Sequence, residues 1–170
     1  MYNFVRLYRK SCRGVKGGFG LGAIATLLTL TLPLPVFSQF TPMFESVTLS
    51  PRSNFGEVVM RGISGGELPA RSVSDRPETP TGPCVGFVDQ QPDHIVTLTE
   101  YFDFLNIRVK SSADTTLVIQ GPGGVWCNDD AFEDDPAIAG EWLAGTYQIW
   151  VGSYERNQFH PYIIRITTQP

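Results

Sequence analysis

Histidine is scarce in this sequence, with two among 170 residues, and cysteine little commoner, with three. Two histidines cannot furnish a three-histidine zinc centre, and neither H-E-x-x-H nor C-x-x-C occurs. Three cysteines are too few for a disulfide-dense miniprotein. Charged residues make up only 18% of the chain, and 13 Lys and Arg against 17 Asp and Glu give a formal net charge of −4. That balance argues against polyphosphate backbones, and so against nucleic acid as a partner. The 17 glycines have no three-residue period, which excludes a collagen-like rod, and the 42% hydrophobic fraction excludes a disordered chain. The length fits one compact domain.

What is present begins with a leader. Residues 1–18 hold Arg6, Arg9, Lys10, Arg13 and Lys16 and no acid, and Phe19 to Leu32 is then apolar apart from Gly and Thr. This is the order of a secretory signal. An uncleaved anchor is the rival reading, but a spanning helix needs about 20 apolar residues, and Pro33 and Pro35 break this segment short of that. Val36-Phe37-Ser38 offers a signal peptidase a small residue at the last position and a short aliphatic one two before it, so residues 1–38 are expected to be removed, leaving a secreted or periplasmic protein with no stable membrane insertion. Gly20-Leu21-Gly22-Ala23-Ile24-Ala25 imitates a dinucleotide fingerprint, but it lies inside the apolar segment with no strand before it. Cys12 precedes that segment, unlike the cysteine of a lipoprotein precursor.

Loss of the leader leaves 8 basic residues against 17 acidic ones, a formal net charge near −9. Cys84 and Cys127 are then the whole cysteine complement of a chain in an oxidising compartment, which favours a disulfide.

The remaining sequence reads as strands between turns. Leu105, Ile107 and Val109 alternate with polar neighbours, Tyr147, Ile149 and Val151 repeat the pattern against Gln148 and Gly152, and Tyr162, Ile164 and Ile166 suggest a last strand half buried or covered on both sides. Shorter β-type runs are Ser46–Leu49, Glu57–Ile63, Val85–Val88, His94–Thr99 and Thr115–Gln120. Gly-Gly, Gly-Pro and Asn-Asp clusters punctuate them, and no window of ten residues holds a helical period. The expectation is all-β, an antiparallel β-sandwich or barrel. Residues 39–54 are expected to be an N-terminal segment or linker, and residues 55–170 the β-sandwich domain, with Ala70–Pro83 a surface loop.

Several segments recur in the order of a known family. Asp114-Thr115-Thr116-Leu117-Val118-Ile119, Gly121-Pro122-Gly123-Gly124, Cys127-Asn128-Asp129-Asp130, Gly145-Thr146-Tyr147-Gln148-Ile149-Trp150-Val151-Gly152 and Tyr162-Ile163-Ile164-Arg165-Ile166 together resemble the bacterial pre-peptidase C-terminal domain. Pro92-Asp93-His94 fits the earlier half, so the resemblance covers about residues 84–168. It implies a small, jelly-roll-like β-sandwich of secreted proteins with a binding or accessory role and no reaction. The chain is expected to be a stand-alone secreted member, without the catalytic domain usual in that family.

The residues themselves point the same way. No Gly-x-Ser-x-Gly segment occurs. His94, after Asp93 at a strand start, reads as a hydrogen-bonded turn residue, and His160 before Pro161 as a loop residue. No spacing selects a carboxylate pair for glycoside hydrolysis, so the chain is not expected to be an enzyme. Trp126, Trp150 and Tyr154 are candidates to stack on a sugar, weighed against the need of any sandwich for large core side chains. The acidic run after Cys127 suggests calcium, with Asn128, Asp129, Asp130, Asp134 and the distant Asp114 as ligands, since calcium accepts six to eight oxygens in loose geometry. The bland alternative is a solvated acidic loop. The function expected is therefore a secreted, non-catalytic β-sandwich with structural calcium. Its partner would be an extracellular polysaccharide, which makes it a carbohydrate-binding module, or a protein, which makes it an accessory to a peptidase.

Overall fold

The computed structural model describes residues 41–53 and 55–169. The leader, residues 1–38, lies outside the described residues. Among those described, no helix is long and apolar enough to cross a membrane.

The chain is all-β. In order it forms β1 (Ser46–Leu49), β2 (Glu57–Ile63), β3 (Leu68–Pro69), the one-turn helix α1 (Ala70–Ser74), β4 (Glu78–Thr79), β5 (Gly82–Pro83) and β6 (Phe87–Val88). There follow β7 (His94–Leu98), β8 (Phe102–Ser111), β9 (Thr115–Gly121), β10 (Gly124–Asn128), β11 (Ala137–Trp142), β12 (Gly145–Ser153) and β13 (Pro161–Thr167). One sheet has the order β11-β8-β13-β2, all antiparallel. The other is built on β12, which pairs with β7 along its first half and with β9 along its second. β10 continues the sheet beyond β9, β6 meets β12 at Ser153, and β3 pairs with β6.

Alternation along the long strands explains the two layers. Leu105, Ile107 and Val109 of β8 and Tyr162, Ile164 and Ile166 of β13 meet Val96, Leu98, Leu117, Ile119, Tyr147, Ile149 and Val151 of the opposite sheet in one continuous buried core. Side chains at i and i+2 share a face, so each strand delivers every second residue to this core.

Two expectations are corrected. Residues 39–54 do not form a loose segment or linker where they are described. Met43 and Phe44 donate backbone bonds to Pro92 and Asp93, and β1 pairs with β7 from Ser46↔Ile95 to Leu49↔Leu98. That pairing is parallel, so the sandwich is not antiparallel throughout. Ala70–Pro83 is not a mere surface loop either. It folds as α1 and the β4–β5 ribbon over the outer face of the β12 sheet, where Ala70, Cys84, Val88, Val118, Cys127 and Trp150 make a second buried cluster.

The Cys84–Cys127 disulfide ties this cover down, with Cα atoms 5.1 Å apart. Beside it the Thr79 hydroxyl accepts from Cys127 N–H at 3.0 Å, and the Thr81 hydroxyl donates to Cys127 C=O at 2.8 Å. The exposed side of edge strand β10 is thus capped by threonine hydroxyls, which removes a template for strand addition. The cover begins at Gly66, where φ is +150° and a Cβ would lie 2.0 Å from the Val88 carbonyl carbon. Only glycine lets the chain pass there.

Candidate functional site

At one end of the sandwich, three connections meet: the β8–β9 turn, the β12–β13 loop and the acidic β10–β11 loop. The first two are joined by a bond from Tyr154 N–H to Asp114 C=O at 3.2 Å, and the third by Thr115 N–H to Asp134 C=O at 3.4 Å. Between the first two lies a cleft of about 380 Å³ lined by Asp114, Ser153, Tyr154, Glu155, Gln158 and His160. The Tyr154 side chain is 50% exposed. Asp114 Oδ1 has no hydrogen-bond partner among the described residues. Burial, and then the charges of Asp134, Asp130, Asp129 and Glu155, push the Asp114 carboxyl above its ordinary range. Asp129 is raised likewise, by burial and by Asp130.

One carboxylate of the acidic loop is neutralised by the protein's own cations. Asp135, almost wholly buried, accepts from Lys110 Nζ at 2.6 Å and from Ser111 N–H at 3.1 Å, with Arg108 at 3.8 Å. Phe132 lies beneath the Arg108 guanidinium, 4.0 Å from its centre, a cation–π contact. A tight turn from Phe132 to Asp135 closes with reciprocal backbone bonds, and Glu133 takes the left-handed conformation, φ 57°.

The sequence candidates separate accordingly. Asp114 and Tyr154 come together, with Asp134, Asp130 and Asp129 close enough to act on Asp114. Asn128 does not join them: its Oδ1 accepts from Ala137 N–H at 3.0 Å and its Nδ2 donates to Thr81 C=O at 2.9 Å, so both ends of the amide brace the fold. Among the described residues no three His, Cys, Asp or Glu side chains are placed to share a metal ion. Trp150 is corrected as a stacking candidate. It points out of the main core, as its alternation implied, but is only 3% exposed because α1 and the disulfide cover it. Trp126 is half-buried, its ring 5.8 Å from Trp142 and 6.3 Å from Tyr147 at the margin of the main core. Glu155, Gln158 and His160 carry no sequence signal beyond lying near Tyr154; only the loop closure makes them neighbours of Asp114.

His94 is sealed in the interior. Its Nδ1 donates to Glu45 C=O at 3.0 Å and its Nε2 accepts from the Tyr162 hydroxyl at 2.8 Å. Burial lowers its pKa. With both nitrogens engaged and no access to solvent, it has no means to move a substrate proton.

No family model matches the chain. An uncharacterized protein of Synechococcus elongatus is 33% identical over 86 residues, 48% of this chain, and the chain spans 63% of that protein's length. Among solved structures, the pre-peptidase C-terminal domain of a collagenase from Bacillus anthracis aligns with a TM-score of 0.42 at 12% identity, over 73% of this chain and 96% of that domain.

Proposed function

We propose that the chain is an exported, non-catalytic binding domain, and that the cleft around Asp114 and Tyr154 takes an extracellular polysaccharide. The observation that carries this reading is the exposed Tyr154 ring standing beside two carboxylates in a concavity. A flat ring accepts the C–H face of a sugar, and carboxylate and amide oxygens accept from its hydroxyls. Asp114 and Glu155 place carboxylates on the wall of the cleft beside that ring.

A glycan array followed by titration of the bound glycan tests it. Tyr154→Ala should weaken binding about tenfold, equivalent to about 1.4 kcal/mol, while shifting stability by less than about 0.5 kcal/mol, as exposed positions do. Unchanged affinity would sink the assignment. Release of reducing ends from the glycan, lost in Asp114→Asn, would make the protein a hydrolase instead. Tyr154-dependent capture of a polypeptide would favour the accessory-domain alternative.

Calcium enters the proposal as an ion attracted to the same end. Because the carboxylates of Asp114, Asp129, Asp130 and Asp134 gather without converging on one point, the expected affinity is in the weak range of extracellular modules, about 10⁻⁴–10⁻³ M. Calorimetry should show binding heat that falls in Asp129→Ala and Asp130→Ala. No heat at millimolar calcium would leave Lys110 and Arg108 as the cations that hold this loop.

A further inference from the structure

We infer that the outer face of the β11-β8-β13-β2 sheet is a second binding surface, which takes an acidic polysaccharide through its carboxylate groups. Strand register places the relevant side chains without ambiguity. Tyr162, Ile164 and Ile166 point inward, so Pro161, Ile163 and Arg165 point outward. Ile163 stands between Lys110 of β8 and Arg61 of β2, and Arg165 stands between Arg108 and Val59 in the next row; Ile63 lies beside Pro161. Neighbouring strands are about 4.8 Å apart, so Lys110 and Arg61 flank Ile163 across roughly 10 Å, and the next row is roughly 7 Å further along. A shallow, mainly apolar groove of about 380 Å³ runs between Arg61 and Lys110, and none of its lining residues belongs to the Tyr154 cleft.

The charge pattern selects the ligand. Of the 8 basic residues after the leader, Arg61, Arg108, Lys110 and Arg165 all lie on this face, although the whole is strongly acidic. Asp135 is matched to Lys110 and Arg108, and Glu57 to Arg165, while Arg61 has no acidic partner among the described residues. Arg61 is thus the cation of this face left without a carboxylate among the described residues, and Asp135 is shared between two others. A guanidinium fork matches a carboxylate, and Ile163, Ile63 and Pro161 offer aliphatic surface to the ring between carboxylates.

Two other occupants fit less well. An extended peptide gains its affinity by adding to a free strand edge; the groove lies over β8 and β13, which have backbone partners on both sides, and of its strands only β2 has a free outer edge. A bilayer would confront the whole acidic surface, including Glu133 and Asp134, which border Lys110. A linear polymer touches only the strip.

The exported protein should bind polygalacturonate oligomers, with affinity falling as salt rises, and should not bind neutral dextran of equal length. Arg61→Glu should weaken binding at least tenfold and leave the melting temperature unchanged, since Arg61 is exposed and makes no ion pair within the fold. Arg61→Lys should retain part of the affinity, and Tyr154→Ala should leave it intact, which separates this surface from the cleft. Equal affinity for wild type and Arg61→Glu, equal binding of dextran, or preference for an acidic peptide or for phosphatidylglycerol vesicles would each overturn the inference.

Discussion

Replacing Cys84 and Cys127 together by alanine is expected to cost about 4 kcal/mol, from the 44-residue loop that the bridge closes in the unfolded chain. For a domain of this size that is a fall in melting temperature of about 15 °C. The bridge also anchors the cover formed by α1 and the β4–β5 ribbon, so the loss should be local as well as global. Trp150 lies beneath that cover, and its indole N–H has no partner among the described residues. In the alanine pair, tryptophan emission should shift to the red and amide exchange in residues 70–84 should accelerate before the main transition. A loss below about 1 kcal/mol, far under the loop-closure value, would mean that the threonine clasp on Cys127 holds the cover unaided.

The second large effect concerns pH. Asp93 is 1% exposed; its Oδ2 accepts from Val151 N–H at 2.7 Å, while Oδ1 has no partner among the described residues. Burial, reinforced by Asp89, pushes its pKa up to about 8 against the bond from Val151. A carboxyl raised in the folded state stabilises fully below its unfolded pKa, and that stability is lost as pH rises through the folded value. His94, lowered by burial, acts in the opposite sense: its contribution is present above about 6.5 and is lost as pH falls. The two slopes oppose each other on the acid side, and between roughly pH 6.5 and 8 only Asp93 remains, so stability should decline there by about 1 kcal/mol per pH unit. Asp93→Asn keeps an acceptor for Val151 and cannot ionise. Its advantage over wild type should grow from about pH 4 to pH 8 by about 5 kcal/mol in all. Urea melts of both proteins across that range measure it, and parallel curves would show that Asp93 stays ionised in the fold.

Sequence and structure agree where one periodicity dominates. The alternating triplets in β8, β12 and β13 supply most of the core, and the runs read at Ser46–Leu49 and Glu57–Ile63 are β1 and β2 to the residue. β10 and β11 were not legible. Gly124 to Asn128 continues a glycine-rich turn, and Ala137 to Trp142 is half small residues, with a register shift between Gly140 and Trp142. Neither has the β-branched pattern that marks a strand. The disulfide was legible because Cys84 and Cys127 are the only cysteines beyond the expected leader. The cleft was half legible: Asp114 and Tyr154 each stood out, but their meeting depends on β9 and β12 lying side by side, Ser153 opposite Thr115. Trp150 misled because alternation tells which side of a sheet a residue takes and not what else in the chain covers that side.

The position of β12 and β13 in the sheets sets an order on folding. β12 lies between β7 and β9, and β13 between β8 and β2, so an interior strand of each sheet comes from residues 145–167. Until those residues are available, β7 and β9 have nothing between them, and β2 has no partner at all. Both sheets therefore stay incomplete until residues 145–167 are available, although β8 with β11 and β9 with β10 already have their partners. The pairings are mostly distant in sequence, and such topologies fold late and slowly. The two sheets close around one core only after β12 and β13 have taken their places.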